Sequence, residues 1–273
     1  MTIPSPPMIL LSALVGYRNV AEARAFLSAR SHPAAAAALA LLETHAAGAE
    51  TAVAVLGAIG DGDSLPSLPP EQWAVRYDRA VAINPEASVA LYSLADPALL
   101  AAVTDEMVSL LERFDLVRPE AELLEIGCGI GRFAAALGPR VRHYLGIDVS
   151  YGMVEAARRR CAGLANVEIR HVGGRDLAEF SAARFDAVLA IDVFPHLVAS
   201  EPGLAARHVA EAARVLKPGG ALLVMNYSYR GNPGLDGADV AAHAAAYGFE
   251  LLRTGTRDTE IWDGTTFLMR RAA

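Results

Sequence analysis

Apolar positions recur at helical spacing along the first 116 residues. Val20 to Arg30 carries one such stripe, and Pro33 opens a second helix that runs through an alanine tract to about Ala47. Glu50–Ile59, Glu71–Ile83 and Asp96–Phe114 read as further helices, the last with Asp96 as N-cap and Pro97 at the first helical position. The apolar run Met8 to Val15 is far shorter than the ~20 residues a membrane span needs. No Lys or Arg precedes it, as a secretory signal would require, so it is expected to pack on the protein's own core. Gly60 to Pro70 is rich in Gly, Pro, Ser and Asp and reads as an exposed connection.

Near residue 117 the period changes. Glu122–Ile126, His143–Ile147, Val167–His171, Ala187–Ile191 and Ala221–Asn226 are short, apolar and partly β-branched. Helical stretches at Arg132–Leu137, Ser150–Ala162 and Gly203–Leu216 separate them. Alternation of this kind predicts a parallel sheet with helices on both faces. Phe249–Asp258 and Thr265–Arg270 are two more strand-like runs, joined too closely for anything but antiparallel pairing. The expected fold is therefore α/β: a doubly wound, mostly parallel, seven-stranded sheet with an antiparallel C-terminal strand, preceded by an all-helical N-terminal region.

Composition narrows the function. The chain of 273 residues carries a formal net charge of −7, without the basic excess that phosphate backbones demand. Its two cysteines, Cys128 and Cys161, form no CxxC pair or Cys/His cluster. A structural zinc site is not expected, and a reducing, cytoplasmic setting fits best.

The candidate chemistry begins at Leu123-Leu124-Glu125-Ile126-Gly127-Cys128-Gly129-Ile130-Gly131-Arg132, a strand that ends in glycines and runs into a helix. Missing side chains let the backbone turn tightly and let a ligand approach closely. Seventeen residues after Gly131, Tyr144-Leu145-Gly146-Ile147-Asp148 is a strand ending in an acid. In a doubly wound sheet that carboxylate stands at the end of the neighbouring strand, where it can accept hydrogen bonds from ribose hydroxyls. Alternatively, Asp148 caps the helix that starts near Ser150.

These motifs resemble those of the class I S-adenosylmethionine-dependent methyltransferases. Leu216-Lys217-Pro218-Gly219-Gly220 is similar to the turn before that family's fifth strand. Phe185 to Leu197 resembles its fourth strand and the following loop. The resemblance covers about residues 120 to 270. It implies S-adenosyl-L-methionine as cofactor, held by Gly127, Cys128, Gly129, Gly131, Arg132, Asp148, Val149, Met153, Gly174, Arg175, Asp176 and Ile191. In one departure, Gly173 stands where the family often has an acid for the adenine amino group, which leaves Gly174, Arg175 and Asp176 to take over. His196 is the implied base, and Tyr227 and Tyr77 join it as catalytic candidates, with Tyr229 beside Tyr227. A nicotinamide-dependent oxidoreductase would share the glycine loop and ribose acid but would more often show Gly-x-Gly-x-x-Gly. A catalytically silent cofactor-binding module is the other alternative.

The expected organisation is an N-terminal extension and linker over 1–70, a helical lid over 71–116 and a cofactor-binding core over 117–273. Arg76 or Arg79 on the Tyr77 helix could pair with a carboxylate. Expected partners are a small molecule or short peptide, with no nucleic acid, no membrane and no metal. The N-terminal helices are also candidates for a homodimer contact.

Overall fold

The central strands form where the apolar runs predict them because they are buried on both faces. The computed structural model describes residues 4–60 and 67–272, so much of the expected connection Gly60 to Pro70 lies outside the described residues. The strands are β1 (Glu122–Ile126), β2 (His143–Asp148), β3 (Val167–His171), β4 (Phe185–Ile191), β5 (Leu216–Met225), β6 (Phe249–Thr256) and β7 (Thr266–Arg271). They make one sheet in the order β3-β2-β1-β4-β5-β7-β6. β1 to β5 pair in parallel, and β7 runs antiparallel to both β5 and β6. The chain winds outward from β1 in one direction and from β4 in the other. A crevice therefore opens at the carboxyl edge between them, the usual ligand position in such sheets.

The helices are α1 (Pro6–Tyr17), α2 (Val20–Ser28), α3 (Pro33–Thr44), α4 (Ala46–Ile59), α5 (Pro70–Ile83), α6 (Pro85–Val89), α7 (Pro97–Arg113), α8 (Arg132–Leu137), α9 (Tyr151–Arg160), α10 (Phe194–Ala199), α11 (Leu204–Val215) and α12 (Pro233–Tyr247). α7, α8 and α9 bury Met107, Leu111, Phe133 and Val154 against one face of the sheet. α10, α11 and α12 bury Phe194, Val209 and Val240 against the other. The N-terminal helices build a separate small core around Leu10, Leu14, Leu27 and Leu42.

Several elements differ from the sequence reading. α12 has no counterpart there, although its ends are punctuated: Asn232 accepts from Leu235 N at 3.1 Å, Pro233 follows it, and Gly248 closes the helix in the left-handed region. Its alanine- and glycine-rich sequence hides the apolar stripe. α10 occupies part of the expected loop after β4. β5 starts at Leu216 rather than Ala221, because the Lys217–Gly220 turn is taken into the strand as an irregularity in its pairing with β4. α7, the last helix of the expected lid, packs into the sheet's core, whereas α5 and α6 of that lid line the cavity together with α1, α2 and α4.

Candidate functional site

The chain leaves β1 at Ile126 and turns through Gly127, Gly129 and Gly131, all with positive φ. These angles favour glycine, and at all three positions space does too. A Cβ on Gly129 would meet Val89 Cγ1 at 2.7 Å, and one on Gly131 would meet Ala157 Cβ at 2.9 Å. Gly129 thus keeps the loop open towards the cover, whereas Gly131 lets α8 pack on α9.

Asp148 ends β2 beside this loop. Its Oδ2 accepts from Gly129 N and its Oδ1 from Ser150 N, both at 2.9 Å. Burial raises its pKa, and the backbone N–H groups of Ser150, Gly129 and Val149 pull it back. Each carboxylate oxygen keeps a lone pair for a further donor. The helix-capping alternative is met by a different residue: Ser150 Oγ accepts from Met153 N at 3.1 Å and donates to Asp78 Oδ1 at 2.6 Å. Asp78 Oδ1 also accepts from Gly152 N at 2.8 Å. A carboxylate on α5 thereby reaches the positive end of α9 and fastens the cover to the core.

The loop and Asp148 face a cavity of about 1150 Å³. Gly127, Gly129, Asp148, Val149, Met153, Gly174, Asp176 and Ile191 line it, as do Tyr77 and His196. Cys128, Gly131, Arg132, Arg175 and Tyr227 are not among its lining residues. The buried Arg132 guanidinium approaches Thr104 Oγ1 at 3.4 Å and Met107 Sδ at 3.9 Å, on α7. Arg175 is exposed at the rim, paired with Glu71 at 2.8 Å and Glu201 at 3.2 Å. Tyr227 belongs to the core on the α12 face, where its hydroxyl is 3.0 Å from His243 Nε2. It therefore stands outside the site in which the sequence placed it.

Two polar groups meet on the cavity floor. Tyr77 Oη lies 2.8 Å from His196 Nε2. Burial lowers the His196 pKa to about 4, so the imidazole is neutral near pH 7, and burial raises the Tyr77 phenol. Trp73 packs on His196 with ring centroids 4.6 Å apart. Both His196 Nδ1 and Trp73 Nε1 are buried without a hydrogen-bond partner among the described residues. Native interiors seldom leave such atoms unpaired outside functional sites.

Asp192 is the second group, and sequence reasoning gave it no role of its own. It follows β4 with φ +60°, and Asn226 follows β5 with φ +64°. Non-glycine residues seldom adopt that region, and strain of this kind gathers at binding sites. Asn226 Nδ2 donates to Asp192 Oδ1 at 2.7 Å, and Tyr229 Oη donates to the same oxygen at 2.8 Å. Burial, opposed by these hydrogen bonds, raises the Asp192 pKa to about 6. Of Tyr227 and Tyr229, it is Tyr229 that lines the cavity.

An adenosyl cofactor fits these residues. The glycine loop is open to close approach, Asp148 keeps acceptor sites beside it, and Gly174, with φ +70°, packs against Val149 where a flat base would lie.

Comparison with known proteins agrees with the fold. Residues 124–224 match the family model described as a methyltransferase domain. This segment has the class I, Rossmann-like fold of S-adenosylmethionine-dependent methyltransferases. A demethylmenaquinone methyltransferase of Clavibacter sepedonicus is 37% identical over 106 residues, covering 39% of this chain and 41% of its own length. A ubiquinone biosynthesis O-methyltransferase of Alkalilimnicola ehrlichii is 30% identical over 137 residues, covering 50% and 52%. The chain thus spans about half or less of these relatives. The crystal structure of the [4+2]-cyclase SpnF superposes with TM-score 0.57 at 20% identity, covering 76% of this chain and 98% of that one.

Proposed function

We propose that this chain binds S-adenosyl-L-methionine and transfers its methyl group to a small molecule. One observation carries this reading. The Gly127–Gly131 loop and the Asp148 carboxylate, joined through Gly129 N, face a cavity at the switch point of the sheet. The methyltransferase-domain match over residues 124–224 supports it.

The cofactor would supply a methyl group already activated on a sulfonium. The chain's own residues position and exclude. Gly127 and Gly129 would let the cofactor's amino-acid part approach the backbone, and Asp148 would accept from both ribose hydroxyls. Val149, Met153 and Gly174 would flank the base. α5 closes this side with Trp73 and Tyr77, and keeping water out strengthens the electrostatics inside. Methyl transfer relies mainly on holding the acceptor atom in line at ~3 Å. The Tyr77–His196 pair and the Asp192–Asn226–Tyr229 group are the polar features that could orient it. A base is needed only for an acceptor that arrives protonated. Neutral His196, with a pKa of about 4, is a weak base, and Asp192, near 6, is the better matched.

The SpnF superposition shows that this fold also carries a protein described as a cyclase, so fold alone does not establish transfer. Incubation with S-adenosyl-L-[methyl-³H]methionine and a panel of hydroxyl, amine and carbon acceptors tests the reading. Label in an acceptor is expected. Tight cofactor binding without label across the panel would favour a silent cofactor-binding module.

A further inference from the structure

We propose that the second half of the cavity binds an apolar molecule that carries a hydroxyl group and no negative charge, with that hydroxyl donated to Asp192 Oδ2. The inference rests on the reading above, in that the nucleotide side is left to the cofactor.

The cavity, about 1150 Å³, is larger than the ~1,000 Å³ at the upper end of single-ligand pockets, so it has room for two. Its two ends differ in kind. The nucleotide end is built from strand ends and glycines. The other end is walled by Met8, Leu11 and Val15 of α1, Phe26 of α2, Ile59 of α4 and Trp262. α1 is tied to the Trp262 loop, since Ser5 Oγ donates to Ile261 O. Such a wall pays for burying rings or alkyl chains and offers nothing to a polar body.

Polar groups converge where this wall meets the sheet. Both donors on Asp192, Asn226 Nδ2 and Tyr229 Oη, bind the same oxygen, Oδ1. Asp192 Oδ2 has no hydrogen-bond partner among the described residues. That oxygen is left accessible to the cavity, so a ligand hydroxyl can donate to it in place of water. The left-handed φ at both Asp192 and Asn226 shows that the backbone is bent to present this pair.

Charge decides against anions. Among the described lining residues the basic one is Arg30, and it is exposed, lying 3.3 Å over the Phe26 ring with Nη1 on Phe26 O. Asp263 also lines the cavity, and its charge adds to that of Asp192. A ligand carboxylate or phosphate would meet the like charges of Asp192 and Asp263, while the buried Arg132, which partly offsets Asp192, is not among the lining residues. An ammonium, by contrast, would meet the favourable charges of Asp192 and Asp263.

The test uses three probes of one shape: 2-naphthol, 2-naphthoate and 2-naphthylmethylammonium. Each is titrated by calorimetry at pH 7.5 into protein saturated with S-adenosylhomocysteine, and again into protein without it. The alcohol and the ammonium are both expected to bind at least tenfold more tightly than 2-naphthoate, and Asp192→Ala should erase that preference. Leu11→Trp, which fills the apolar end without touching Asp192, should weaken all three probes while leaving nucleoside binding unchanged. Equal or tighter binding of 2-naphthoate overturns the proposal, as does no binding of any probe or naphthol binding that ignores Leu11→Trp. Failure of S-adenosylhomocysteine to bind would instead count against the cofactor reading, and the ranking without it would still judge this one.

Discussion

The carboxyl edge of the sheet and the helical cover form one cavity by different means. At the edge, the functional atoms sit within a few residues of a strand end: the Gly127–Gly131 loop after β1, Asp148 closing β2 and Asp192 after β4. Parallel pairing fixes the distances between them, as in the register of Ile126 with Ile147. The cover draws its wall from α1, α2, α4 and α5, whose lining residues Met8, Phe26, Ile59 and Trp73 share no motif spacing and meet only after packing. The edge is therefore specified by spacing and the cover by tertiary structure. A nucleotide side can be inherited as a motif, whereas an acceptor side has to be built.

Substitutions can break this contrast, and the largest effect is expected at the edge. Gly129→Val puts a branched side chain at φ +52° against Val89, so S-adenosylhomocysteine binding should fall by more than a hundredfold in calorimetry. Circular dichroism should show the fold retained. Asp148→Ala removes two ligand hydrogen bonds of ~1.5 to 3 kcal/mol each, and affinity should drop at least tenfold. It also leaves Gly129 N and Ser150 N without their acceptor, so thermal unfolding should shift down by several degrees.

His196 gives the pH signature of the cavity floor. It takes up its proton at about 4 in the fold against about 6.5 in the unfolded chain. The unfolded state thus binds more protons in that window, and His196's contribution is complete above pH 6.5 and lost as pH falls towards 4. Asp192 runs the other way, because its pKa near 6 lies above the unfolded value of 3.8. It costs stability above pH 6, and that cost fades on acidification. His196→Asn should therefore lose less stability between pH 6.5 and 4.5 than the parent, as read by urea denaturation at each pH.

Effects at the cover should be smaller. Asp78→Ala unties α5 from the start of α9, so amide exchange over Pro70–Ile83 should quicken and nucleoside affinity should fall only a few-fold. Cofactor should slow the same amides in the parent protein. Arg175→Ala, at the exposed rim, should leave the melting temperature unchanged within error, since exposed ion pairs contribute little.

The sheet, its antiparallel end and the glycine–acid pair are legible because period-two and period-3.6 patterns and loop lengths report them directly. The choice between Tyr227 and Tyr229 is not. Along β5, Leu223 and Met225 face one core and Leu222 and Val224 the other. Strict alternation would put Tyr227 with Met225, but the left-handed turn at Asn226 sends it to the opposite core. No propensity predicts that angle for an asparagine at a strand end. Asp192 escapes for the same reason, since its importance lies in φ +60° and in partners 34 and 37 residues away.

Calorimetry of the full chain with S-adenosylhomocysteine and with NAD is the most direct test of the central claim. One S-adenosylhomocysteine per chain, and no heat from NAD, is the expected result. Binding of NAD, or no binding of S-adenosylhomocysteine, would contradict the assignment of the Gly127–Gly131 loop and Asp148 to an S-adenosyl cofactor.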